Sequence, residues 1–66
     1  MITLSEAHSR RQYLNQRQKD GVDTAMDEAI LIYDVLIAIA LGAPQAAELA
    51  KETLESIYAG ADAPRA

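Results

Sequence analysis

Apolar positions along this chain form three blocks of different character, separated by two short turns. The middle block is the densest. From Ala29 to Leu41 every residue but Asp34 is apolar. A strand is the competing assignment, since Ile and Val favour sheets. The pattern nevertheless reaches back to Met26, and Ala25, Ala29, Ala38 and Ala40 favour helix. Thr24 with Asp27 three residues on resembles a capping box, and Gly42 followed by Pro44 is a stop signal. The spacing predicts a helix over 24–41, about 27 Å long at 1.5 Å per residue. That is too short for a bilayer, and Asp34 at its midpoint would be costly there.

On a wheel of 100° per residue this helix has two apolar faces. A broad one carries Met26, Ala29, Ile30, Tyr33, Leu36, Ile37, Ala40 and Leu41. It is expected to face the rest of the chain. The opposite face carries Leu31, Ile32, Val35 and Ile39, with Glu28 at its N-terminal end. A narrow edge holds Asp23, Asp27 and Asp34. A helix apolar nearly all round must be covered nearly all round. With only two other helices available, the second face (Glu28, Leu31, Ile32, Val35, Ile39) is assigned to a homodimer interface. Antiparallel pairing is expected, because parallel pairing would bring two Glu28 carboxylates together.

The first block is polar. Thr3 and Glu6 fit a capping box, with Ile2 placed to staple against Ala7. A helix is predicted over 4–19, ended by Asp20-Gly21. Leu4, Ala7 and Leu14 form a thin apolar stripe interrupted by Arg11. Glu6, Arg10, Tyr13 and Arg17 form a polar stripe beside it. The third block, over 44–59, is amphipathic, with Pro44 suited to the first helical position. Ala46, Leu49, Ala50, Thr53, Leu54, Ile57 and Ala61 share one face, and Glu48, Lys51, Glu52 and Glu55 the other. Residues 61–66 lack a pattern and read as a flexible tail. The fold expected is all-α: one domain over 1–60, three helices around a central apolar one, forming a homodimeric helical bundle.

Size sharpens the case for a partner copy. Sixty-six residues without cysteine offer a modest core and no disulfide or zinc–thiolate support. The absence of cysteine fits a reducing compartment, and the first residues lack an apolar signal region, so a cytoplasmic protein is expected. The net charge of −4 is uneven. Residues 1–19 hold four cations against Glu6, whereas residues 20–66 hold nine acids against Lys51 and Arg65.

Catalytic chemistry is sparse. Three scattered glycines make no phosphate loop, and each lies where a helix should end. His8 with Ser5 or Ser9 would sit in the first turns of an exposed helix, and a surface histidine is the simpler reading. Asp23, Asp27 and Asp34 lack the Glu-x-x-His pairs of di-metal bundles. They read as a solvated seam partly paired with Arg11 or Lys19, with Asp34 at its rim. No enzyme activity, metal or cofactor is therefore expected. The candidate partner-binding residues are Arg10, Tyr13 and Arg17, with Arg11 and Lys19, because Arg and Tyr are enriched at interface hot spots. The expected function is a non-enzymatic regulatory or inhibitory adaptor that binds another protein. A nucleic-acid-binding regulator using the basic first helix is the alternative, opposed by the acidic body. A purely structural oligomerisation module is the third reading.

Overall fold

The chain enters its first helix through a cap that its sequence specifies. Thr3 is extended (φ −96°, ψ 166°), and its Oγ1 accepts the Glu6 N–H at 3.1 Å. The Glu6 carboxylate accepts the Thr3 hydroxyl in return at 3.2 Å. Ile2 and Ala7, the staple positions, both lie in the buried core. A computed structural model describes residues 1–60, with side chains placed through Glu55. It contains α1 (Leu4–Lys19), α2 (Ala25–Ala40) and α3 (Ala46–Gly60), and no strand among the described residues. The expected inward positions of Ile57 and Ala61 and the expected flexible tail at 61–66 lie outside the described side chains or residues.

Both interhelical turns are Schellman motifs, in which a left-handed residue lets the chain fold back on the last helical carbonyls. Gly21 (φ 84°) donates to the Gln18 carbonyl, and Val22 donates to that of Arg17, each at 3.0 Å. Gly42 (φ 80°) donates to the Ile39 carbonyl at 3.0 Å, and Ala43 to that of Ala38 at 2.9 Å. Ala38 and Ala43 are both buried, which supplies the apolar contact of this motif.

Two starts differ from expectation. Thr24 does not cap α2 with its side chain. Asp23 Oδ1 takes the Ala25 N–H at 3.0 Å, and the Thr24 hydroxyl donates instead to Glu28 Oε2 at 3.2 Å. Pro44 precedes α3 rather than opening it. Gln45 adopts φ 60°, unusual for a residue with a side chain, and its carbonyl accepts the Leu49 N–H at 2.9 Å.

Each helix packs on both others. The core gathers Ile2, Ala7 and Leu14 with Leu31, Val35 and Ala38 of α2, then Ala43 and Leu49, with Leu4 and Ile39 packed against it. On α3, Leu49 is buried and Ala46, Ala50 and Thr53 are half-buried. Leu54 is exposed, against expectation, because it lies about 140° round the helix from Leu49.

The two faces of α2 are exchanged relative to the expectation. Leu31 is 4% exposed and Val35 is 1% exposed within the single chain. Ile32 and Ile39 are half-buried, and Glu28 is turned inward too. The face assigned to a second copy is therefore the one packed on α1 and α3. The broad face expected inside is outside: Met26, Ile30, Tyr33, Leu36, Ile37 and Leu41 are 47–74% exposed. Arg11 explains the choice. It sits between Ala7 and Leu14 on the buried stripe of α1 and is only 8% exposed. A buried guanidinium requires a counter-charge. Of the two faces of α2, only the one bearing Glu28 supplies it.

Candidate interaction surface

Arg11 and Glu28 meet inside the three-helix packing. Arg11 Nη1 donates to Glu28 Oε1 at 3.0 Å. The other carboxylate oxygen, Oε2, accepts from Gln18 Nε2 at 3.1 Å and from the Thr24 hydroxyl. One carboxylate thus joins the middle and end of α1 to the start of α2. Arg11 Nε is buried without a partner, an unmet donor inside an otherwise satisfied network. This geometry removes Arg11 from the expected partner-binding set and Glu28 from the expected dimer interface. Both are committed to the fold. A signal was present in the sequence: Arg11 interrupts one apolar stripe and Glu28 begins another, with opposite signs.

Outside this network, the stripe of α1 survives as a surface. Arg10, Tyr13, Leu14 and Arg17 line a groove of about 360 Å³ with Asp27 and Ile30 of α2. Tyr13 is 61% exposed, and the Arg17 guanidinium carbon lies 5.7 Å from its ring centroid. A stacked pair at such an exposed site is worth about 0.5–1 kcal/mol. Arg10 Nη1 donates to Asp34 Oδ2 at 2.7 Å, with both side chains about 40% exposed. Asp34, the lone charge of the apolar run, thus stands at the rim. Its partner is Arg10, not the Arg11 or Lys19 expected for the acidic edge. Lys19 is exposed in the last turn of α1 and does not line the groove. Arg10, Tyr13 and Arg17 are therefore brought together, while Arg11 and Lys19 are separated from them.

His8 belongs to a different contact. Its Nδ1 lies 2.9 Å from Glu52 Oε1, linking α1 to α3 on an exposed flank. Among the described residues no hydrogen bond joins His8 to Ser5 or Ser9. Nor is any group of three or more His, Cys, Asp or Glu side chains gathered to hold a metal ion among them. No helix among the described residues is long and apolar enough to cross a membrane.

The outer face of α2 continues the groove. Ile30 belongs to both, and beyond it Tyr33 and Met26 are 70% and 74% exposed. The six large side chains of this face leave on the order of 650–760 Å² in water, taking roughly 180–210 Å² as the full area of residues this size. The largest apolar patch on a typical monomer is about 300–600 Å², and larger ones mark interaction sites. No protein-family model matches the chain, and neither the comparison with curated proteins nor that with solved structures gives a match.

Proposed function

We propose that this protein is a small non-enzymatic adaptor, regulatory or inhibitory, that acts as a homodimer and binds another protein through the α1–α2 groove. The observation that carries the reading is Tyr13, exposed beside a groove with Arg17 stacked over its ring. Folding makes little use of either side chain. An exposed aromatic held by a guanidinium offers contact area at low entropic cost, and Arg17 retains donors for a carboxylate. Arg10 and Leu14 would flank an inserted apolar side chain, and Asp27 would select against an acidic one at its own end. The fitting partner is a protein segment pairing an apolar anchor with a nearby carboxylate.

Charge disfavours the nucleic-acid reading. Arg10 is engaged by Asp34 and Arg11 by Glu28. Arg17 and Lys19 remain on α1, beside a groove that also contains Asp27. Each phosphate contact adds about 0.9 to the salt slope of duplex binding, so two contacts per copy, set among the acids of the body, give only weak retention.

A photo-crosslinking side chain at position 13 tests the reading in cells. A discrete protein adduct is expected, and Arg17→Ala should remove it while helicity persists. An adduct unaffected by Arg17→Ala, or tight duplex DNA binding at physiological salt that is lost in Tyr13→Ala/Arg17→Ala, overturns it.

A further inference from the structure

We propose that the outer face of α2 is a self-association surface, on which a second copy of this chain packs antiparallel with the twofold axis passing beside Tyr33. This deepens the homodimer of the reading above and rests on it. It assigns the dimer to the face that the structure leaves exposed.

Area is the first argument. Burying this face on both copies removes on the order of 1,300–1,500 Å² from water. Stable, specific interfaces bury about 1,200–2,000 Å². The apolar side chains of α2 alone reach the lower bound, before the flanking α1 residues are added.

Steric self-complementarity is the second argument, and it selects the register. In an antiparallel pair centred on residue 33, position i faces position 66 − i. Ala40 then faces Met26, and Ala29 faces Ile37. Ile30 faces Leu36, and Tyr33 faces its own copy. Each outer-face alanine is set against a large side chain, so knobs on one helix meet shallow positions on the other. A parallel in-register pair does the opposite. It sets Met26 on Met26 and Ala29 on Ala29, alternating crowding with voids.

Charge at Asp27 agrees with the antiparallel choice, and Asp34, which this register brings close to the axis, is already paired with Arg10 at 2.7 Å. Asp27 lies in the first turn of α2, and the last turn contains no cation. Parallel pairing would bring two Asp27 carboxylates to the same height. Antiparallel pairing separates them by about 18 Å along the axis, beyond a Debye length of about 8 Å at physiological salt. The acidic edge also argues against an anionic membrane as the occupant. Interfacial helices flank their apolar face with Lys and Arg, whereas Asp23, Asp27 and Asp34 flank this one.

The chain has no cysteine, so introduced thiols report the register directly. Helix axes 8–10 Å apart bring facing Cα atoms to about 4–6 Å, within disulfide range. On mild oxidation, Tyr33→Cys should link to itself. Met26→Cys mixed with Ala40→Cys should give a mixed dimer of twice 7.2 kDa, and neither should link readily alone. These two positions lie about 21 Å apart along one helix, so an intrachain bond cannot mimic the result. Sedimentation equilibrium of the unsubstituted chain should show the dimer at micromolar concentration. Two results overturn the proposal: a folded 7.2 kDa monomer at 100 µM, or efficient self-linkage of Met26→Cys alone. Binding of the unsubstituted chain to phosphatidylglycerol vesicles, with loss of the dimer, also overturns it. Failure here is separable from failure of the adaptor reading. Tyr13→Ala/Arg17→Ala should still cross-link through position 33, and the linked Tyr33→Cys dimer should still yield the photo-adduct at position 13.

Discussion

Glu28→Ala should destabilise the protein far more than any other single charge deletion on α1 or α2. Among the described residues its carboxylate is the only hydrogen-bond partner of the Arg11 guanidinium, on a residue 8% exposed. Removing one partner of a fully buried pair costs about 3–5 kcal/mol. The Glu28 side chain is 26% exposed, so water can enter the vacated space and relieve part of that cost. Gln18 is exposed and turns to solvent at little loss, but the Thr24 hydroxyl, on a residue 3% exposed, loses its acceptor at about 1 kcal/mol. The total is about 3 kcal/mol, a large share of the few kcal/mol that a core this small supplies. With a urea slope near 1 kcal/mol/M, the midpoint should fall by about 2–3 M. Arg11→Met should cost less, about 1 kcal/mol, because Glu28 keeps two hydrogen bonds and some solvent. The double variant Arg11→Met/Glu28→Leu should recover to within about 1 kcal/mol of the parent, since no charge is left stranded. Urea titrations followed by circular dichroism at one fixed protein concentration measure all three, the fixed concentration holding any dimer contribution constant. The reasoning is refuted if Glu28→Ala unfolds within about 0.5 kcal/mol of the parent, or if the double variant loses the sum of the singles.

Two further outcomes follow from the packing and the turns. Leu49→Ala, at a large α3 side chain with no exposure, should cost about 2–5 kcal/mol, whereas Leu54→Ala on the exposed edge should change urea stability by less than about 1 kcal/mol. Gly42→Ala should cost about 1–2 kcal/mol in the same titration. No atom lies within 4 Å of the added Cβ, so the penalty is the left-handed backbone at φ 80° rather than a clash.

The limits of α1 and the stops of both turns were legible in the residues themselves. Thr3 with Glu6, Gly21 and Gly42 act through hydrogen bonds that span only a few positions, so their environment is nearly all local. The central apolar helix was legible for the same reason, its composition excluding most alternatives. Local signals failed where a distant group competed. Thr24 gives its hydroxyl to Glu28, part of a network with α1, and Asp23 caps in its place. Pro44 loses the helix start to the turn around Gln45.

The orientation of α2 was decided by the tertiary structure. Its two faces are both apolar, and hydrophobicity alone ranks the broader one inside. The broader face, with Met26 and Tyr33, nevertheless stays outside the three-helix packing. Burying the narrower face brings Glu28 to Arg11 and lets Val35 and Ala38 sit close against their neighbours. A buried charge without a partner costs more than an exposed side chain of Leu or Met, so pairing overrides area. Arg10, Tyr13 and Arg17 were recognisable as a stripe because helical spacing makes one. That Asp27 and Ile30 complete a groove beside them, and that Arg11 leaves the set for the core, depended on how α1 and α2 pack. A one-dimensional pattern places a residue on its own helix, but which helix it faces is set by the sum of all contacts.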